Sequence, residues 1–239
     1  MIFFIGVIFC NYVTNLTKKN DKINRKLHIT KDGSHTIFLE EMNEHYHSKK
    51  GAISESKYVF IKNGFSQLKK NYVKILEVGM GTGLNILLTL LNSNKNLKIY
   101  YHALEPYPID ESLQKKLNYC QFLNIDDEIL KKIHVSVWDK KIKLNENFIF
   151  CKEKIKIENF MSKEFFDLIY FDAFAPSKQK NIWDFKIIKY CYDILNKDGI
   201  IVTYSSSGDF KRNLKKIGFE ISVLEGALGK REMIRAKKI

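Results

Sequence analysis

Three glycines at every second position, Gly79, Gly81 and Gly83, follow directly on the mostly apolar run Val73–Val78. Such a run reads as a buried strand. Leu84–Leu91, on the far side of the glycines, has the apolar density of a buried helix. Strand, glycine turn and helix make the first half of a nucleotide-binding βαβ unit. Glycine lets the chain reverse sharply, and its missing Cβ lets a ligand approach the backbone closely. Glu77 stands just before the turn, Thr82 within it and Asn85 just after it.

The downstream chain keeps the strand–helix alternation. Lys98–Leu104 reads as a second strand ending at Glu105. A carboxylate at that tip, roughly 20 or more residues beyond the glycines, is where a ribose-binding acid belongs, because its two oxygens can accept from both ribose hydroxyls. Residues 107–147 hold one or two helices, Asp110–Leu123 and Asp126–Ile133, and read as an insertion over the sheet. Phe148–Phe150 and Phe166–Asp172 read as strands, and Trp183–Leu195 as a helix closed by Lys197-Asp198-Gly199. Ile200–Tyr204 is a further strand, Gly208–Ile217 a helix stopped by Gly218, and Phe219–Leu224 with Glu232–Ala236 a hairpin. This order predicts an α/β, Rossmann-like doubly wound sheet with a C-terminal antiparallel hairpin, the architecture of class I S-adenosylmethionine (SAM) methyltransferases. Glu77 and the Gly-x-Gly-x-Gly spacing fit that pattern better than the Gly-x-Gly-x-x-Gly of dinucleotide enzymes.

With 239 residues and 45% hydrophobic residues, the chain suits one domain with a full core. Residues 32–239 read as that domain, with a short appendage over 32–70 that holds a strand at Thr36–Leu39 and a helix starting near Ser54. Residues 1–31 read as a basic, flexible extension. Its apolar start, Met1–Cys10, is too short for a bilayer span of ~20 residues and lacks a positive n-region, so stable membrane association is not expected. A net charge of +13 admits two readings: a polyanionic partner, or a lysine-rich genome bias. Cys10, Cys120, Cys151 and Cys191 form no Cys-x-x-Cys pair, which fits free thiols in a reducing cytoplasm. His45 and His47 suit a strand face but have no third ligand nearby, so no metal is expected.

Ligands of open α/β sheets sit beyond the carboxyl ends of the strands. There the chain carries Asp172-Ala-Phe174-Ala-Pro176-Ser-Lys178, running on to Trp183. Methyl transfer needs a neutral nucleophile held at ~3–3.5 Å with its lone pair aligned. An ammonium has no free lone pair, so a carboxylate such as Asp172 has a role in drawing off the proton. Phe174 either stacks on an extruded base or packs within the loop.

The glycine turn, this Asp172–Trp183 loop, the ending Gly229-Lys-Arg-Glu-Met233, Asn43-Glu-His-Tyr-His-Ser48 and Gly51–Phe60 together resemble the methyltransferase domain of MnmC and its stand-alone relatives, called MnmD. The resemblance runs from about Asp32 to Ala236. It implies SAM-dependent methylation of the 5-aminomethyl group of the tRNA wobble uridine, giving 5-methylaminomethyl-(2-thio)uridine. Carried over by position, it implies Asp172 as the catalytic acid, Gly79, Gly81 and Gly83 as the SAM turn and Glu105 as the ribose acid; Glu77, Thr82 and Asn85 around the turn complete the expected SAM site. It also implies tRNA as partner through its anticodon region; Phe174, Lys178 and the basic C-terminal residues Arg212, Lys230 and Arg231 are expected to meet it. A monomer acting in the cytoplasm is expected, and a chain of this length does not hold the FAD-dependent oxidase domain of bifunctional members. One departure stands out: no Asp falls at Lys154–Lys156, where an acid for the adenine amino group is expected, which leaves Glu153 or Glu158. The alternatives are a small-molecule methyltransferase, a polyamine aminopropyltransferase, or an RNA-binding module without catalysis.

Overall fold

The computed structural model describes residues 23–239. The readings made for Met1–Cys10 and for the rest of the basic extension up to residue 22 lie outside these residues. From Arg25 onward the chain is ordered structure, not the loose extension expected through residue 31. Strands β1 (Arg25–Ile29), β2 (His35–Leu39) and β3 (Glu44–His45) form a small antiparallel sheet in the order β1-β2-β3. The basic residues of β1 masked its alternation, and its partner is a strand ten residues downstream. Helix α1 (Ala52–Ser56) follows and widens into a π turn over Lys57–Lys62.

The main elements are β4 (Tyr72–Val78), α2 (Leu84–Asn92), β5 (Lys98–Leu104), α3 (Glu111–Gln114), α4 (Tyr119–Leu123), α5 (Asp127–Val135), β6 (Ile142–Asn145) and β7 (Phe148–Glu153). They continue as β8 (Phe166–Phe171), α6 (Phe185–Asp193), β9 (Leu195–Thr203), α7 (Gly208–Ile217), β10 (Phe219–Glu225) and β11 (Glu232–Lys238). The strands form an eight-stranded sheet, β10-β11-β9-β8-β4-β5-β7-β6. Its five central members are parallel, whereas β11, β10 and β6 are antiparallel additions at the two edges. The segment 107–147 is therefore more than a helical insertion, because it ends in the edge strand β6.

Both sheet faces are buried, as helices on both sides require. In β4, Val73 and Ile75 pack toward α2, while Leu76 and Val78 pack in the cluster that holds Ile188 and Cys191 of α6 and Phe210 and Leu214 of α7. The helix starts are capped by side chains: Asp126 accepts from Glu128 N–H at 2.9 Å and Asp184 from Lys186 N–H at 2.9 Å. Gly218, at φ 108°, ends α7. The helix read as Trp183–Leu195 stops at Asp193, and β9 begins before the residues read as its cap. Asn196–Gly199 bulge out opposite Asp167, where the register jumps from Leu195 to Ile200. Asn196 Nδ2 donates to Asp167 Oδ1 at 2.9 Å and pins the bulge.

From β4 the chain passes through α2 to β5 on one side, while β8 lies on the other. The crevice at the carboxyl ends of these strands is the topological switch point where such sheets bind ligands.

Candidate active site

A cavity of about 940 Å³ opens at that crevice. The ends of β4, β5, β7 and β8 form its floor, and the β1–β3 sheet forms its roof. Arg25 fastens the roof: its Nε donates to Tyr46 Oη at 3.0 Å, one Nη to the Pro108 carbonyl at 3.0 Å and the other to the Tyr107 carbonyl.

The glycine turn is clamped between neighbouring strand ends. Gly79 and Met80 N–H both donate to the Leu104 carbonyl, at 3.0 and 3.1 Å. Gly79 has φ 93°, and a Cβ there would stand 2.5 Å from the Asp172 carbonyl oxygen. Only glycine fits, for the conformation and for the space. Gly81 N–H donates to Glu105 Oε2 at 2.8 Å, and Tyr107 N–H to Glu105 Oε1 at 2.8 Å. Burial pushes the Glu105 carboxyl upward, and these two bonds and Arg25 oppose it. Gly79, Gly81 and Glu105 line the cavity.

Glu77, Thr82, Gly83 and Asn85 lie beneath the turn and not on the cavity wall. Asn85 Nδ2 donates both to Glu77 Oε1 at 2.9 Å and to Asp172 Oδ2 at 2.8 Å. Burial, then the charge of Asp172, hold the Glu77 carboxyl well above its ordinary range. Thr82 accepts from the Tyr119 hydroxyl at 3.1 Å. These residues support the wall that a ligand would touch.

Of the two acids considered for the adenine, Glu158 faces the cavity, while Glu153 lies 2.9 Å from His102 Nε2 within the sheet. His45 and His47 diverge: His45 Nε2 meets His28 Nδ1 at 3.0 Å, and His47 faces Thr36.

Asp172 reaches the cavity from the end of β8. Burial raises its pKa to about 7, helped by the charge of Glu55 and opposed by the Asn85 bond and Lys230. Phe174 stands at the wall with Tyr46 edge-on at 5.3 Å. Trp183 Nε1 donates to the Phe174 carbonyl at 2.8 Å, and Tyr204 Oη to the Ala173 carbonyl at 2.8 Å, so the loop is held from behind.

A family model described as S-adenosyl-L-methionine-dependent methyltransferase matches residues 118–239, just over half of the chain. The chain belongs to this family. The methyltransferase is also similar to curated relatives. The tRNA 5-methylaminomethyl-2-thiouridine biosynthesis bifunctional protein MnmC of Legionella pneumophila (strain Lens) is 27% identical over 228 residues, covering 82% of this chain and 34% of that protein. The protein of the same name from Campylobacter jejuni subsp. jejuni serotype O:6 is 29% identical over 218 residues, covering 84% of this chain and 34% of its own length. The methyltransferase thus spans about a third of the length of these relatives. The crystal structure of MNMC2 from Aquifex aeolicus has the same fold, with TM-score 0.70 and 23% identity, over 91% of this chain and 71% of that one.

The floor of the methyltransferase cavity suits its cofactor, S-adenosyl-L-methionine. Each Glu105 oxygen accepts one N–H and keeps capacity for a hydroxyl, and the turn beside it carries no side chain at Gly79 or Gly81. Glu158 adds an acceptor on the β7 side.

The opposite wall holds an acid that motif reading missed. Glu55, on α1, is 6% exposed and lines the cavity. It accepts from Ser48 N–H at 2.7 Å and pairs with Lys230 Nζ at 2.6 Å. Lys230 also lies 4.3 Å from the centre of the Tyr204 ring. In the sequence Glu55 reads only as a helix-start acid. Its one further signal is its place on a face otherwise buried, between Ala52, Ile53 and Val59. Lys230, expected at RNA phosphates, instead turns inward to this acid. The Arg231 side chain is 94% exposed at the cavity rim, whereas Lys178 and Arg212 lie off the wall, Arg212 paired with Asp209. Among the described residues no helix is long and apolar enough to cross a membrane.

Proposed function

We propose that this methyltransferase methylates the 5-aminomethyl group of a tRNA wobble uridine, giving 5-methylaminomethyl-(2-thio)uridine. The observation that carries the reading is Asp172: a carboxyl at the cavity floor, shifted to about 7 by burial and held by Asn85. A general base is most effective when its pKa lies near the working pH. The similarity to MnmC relatives supports the choice of acceptor.

S-adenosyl-L-methionine, when bound, supplies a methyl group on a sulfonium. The chain's own residues prepare the acceptor. Asp172 accepts a hydrogen bond from the acceptor ammonium and takes its proton, so that an N–H bond breaks, an O–H bond forms and the nitrogen lone pair is freed. Asn85 fixes the Asp172 carboxylate from the side away from the cavity. Phe174 and Tyr46 offer aromatic faces and edges for the uracil ring. Arg231 at the rim is placed to meet phosphate.

The test is methylation of tRNA that carries the unmethylated aminomethyl uridine, with labelled cofactor and nucleoside mass spectrometry. Conversion of aminomethyluridine to methylaminomethyluridine is expected. Transfer to free polyamines or another small amine, with no methylated tRNA nucleoside, would replace this reading with the small-molecule one.

A further inference from the structure

The acceptor end of the cavity contains more charge than one base requires. Glu55 reaches it from α1, Lys230 from the turn before β11, and Asp172 from the end of β8. Glu55 and Lys230 are 175 positions apart in sequence and meet at 2.6 Å. The contact is well built on both sides. The second oxygen of Glu55 is taken by Ser48 N–H, so its carboxylate cannot rotate away, and the Tyr204 ring lies against the Lys230 ammonium at 4.3 Å. Tyr204 in turn donates to the Ala173 carbonyl, next to Asp172. A buried carboxylate that leaves water needs such a partner. With Asp172 ionised, these three side chains at the acceptor end, two carboxylates and one ammonium, leave one negative charge in excess. One protonated amine would balance it.

We propose that Glu55 and Lys230 form a positioning pair for Asp172, in which Glu55 holds the Lys230 ammonium against the cavity so that Asp172 stays ionised and the floor selects a cationic amine as acceptor. The inference rests on the amine-methylation reading above and adds to it the residues that select the charge state of the acceptor. Neither residue exchanges a proton with the substrate. Both act through Asp172.

The charged and titratable groups around Asp172 allow a signed test. Glu55 raises the proton affinity of Asp172 and Lys230 lowers it. Glu77 lies behind Asn85, Tyr101 belongs to β5, and Tyr204 follows β9. Burial holds Tyr101 and Tyr204 well above their ordinary range, so both stay neutral near pH 7, and it raises the Glu77 carboxyl in the same direction. The charges that act on Asp172 are those of Glu55 and Lys230.

The experiment is a titration of the Asp172 carboxyl by carbon-13 NMR in the whole protein, assigned with Asp172→Asn. Lys230→Met is expected to move the midpoint up by about one unit, and Glu55→Gln to move it down by a similar amount. Lys230→Arg, which keeps the charge, should restore the wild-type midpoint. A merely structural role would loosen the pocket in both variants and move both midpoints the same way, toward that of an exposed Asp. Equal signs, or no movement in Lys230→Met, would overturn the proposal. The Lys230 arm decides alone if Glu55→Gln fails to fold, because the Lys230 side chain is 40% exposed. If the wild type methylates no aminomethyl nucleoside while the opposite shifts persist, the substrate reading fails and the charge pair stands. If it methylates and the shifts are absent, the reverse holds.

Discussion

The two walls of the cavity are assembled in opposite ways. The wall assigned to the cofactor comes mainly from one βαβ unit, with Gly79 and Gly81 after β4 and Glu105 after β5, joined by Glu158 beyond β7, and the contacts within the unit are largely backbone N–H groups. The acceptor wall is made of side chains from four distant segments: Glu55, Asp172, Tyr204 and Lys230. The first needs a local conformation, and the second needs the whole fold to be correct. Asn85 is the bridge between them, since it bonds Asp172 from the helix that the glycine turn opens.

Asp172→Asn carries the largest expected effect and tests how separate the walls are. Turnover should fall by about 10²- to 10⁴-fold, the usual worth of a general base. Cofactor affinity measured by calorimetry should stay within about threefold, since roughly 0.65 kcal/mol is the most a remote change of this kind should cost. A large loss of cofactor affinity would show that Asn85 couples the walls. Gly79→Ala should do the converse. A left-handed φ costs an L-residue about 1–2 kcal/mol, and the new Cβ would also meet the Asp172 carbonyl at 2.5 Å. A lower Tm and at least tenfold weaker cofactor binding are expected. Unchanged binding would mean that the turn does not hold the cofactor.

The same contrast explains what could be read before folding. The helix Leu84–Asn92, the strand Lys98–Leu104 and the helix Gly208–Ile217 stand where their patterns put them, because apolar periodicity and a glycine stop act locally. β1 was hidden, since Arg25, Lys26 and His28 give it a polar outline and its order depends on pairing with β2. β6 was hidden for a similar reason: it is a four-residue edge strand with alternate residues exposed. The Asn196–Gly199 bulge looked like a helix cap because Asp198 and Gly199 suit either role. Within the site, Asp172 and Glu105 were legible as acids at strand ends. Glu55 was not, because a helix-start acid and a buried ion-pair acid have the same local sequence.

A smaller effect, in stability, has a sign set by Asp172. Its pKa is raised from 3.8 to about 7 by burial, so the folded chain binds a proton there that the unfolded chain releases. The stability this gives is fully present below about pH 4 and is lost as the pH rises through 7. Activity runs the other way, since the base must be ionised, and should rise through about pH 7. Thermal melts of the wild type and Asp172→Asn from pH 5 to 8 isolate the site, because other groups cancel in the difference. The variant should gain on the wild type as the pH rises. A constant difference would mean that the Asp172 carboxyl is not shifted, and would remove the main support for its role as base.

The smallest expected effect concerns the rim, where the acceptor wall meets solvent. Lys230 and Arg231 are adjacent, and the sequence reading expects both at tRNA phosphates. Their surroundings separate them: Lys230 is paired with Glu55, while Arg231 is 94% exposed and stands 3.9 Å from Glu232. Each phosphate contact made adds roughly 0.9 to the steepness of log affinity against log salt. Arg231→Ala should therefore lower the salt slope of tRNA binding by about one while leaving the pH–rate profile in place. Lys230→Ala should leave the slope nearly unchanged and shift the pH–rate profile. Filter binding at several salt concentrations, with rates measured across pH, gives both numbers for both variants. If the two behave alike, the inward and outward assignments of these neighbours are wrong, and the acceptor wall extends into the RNA-binding surface without a boundary.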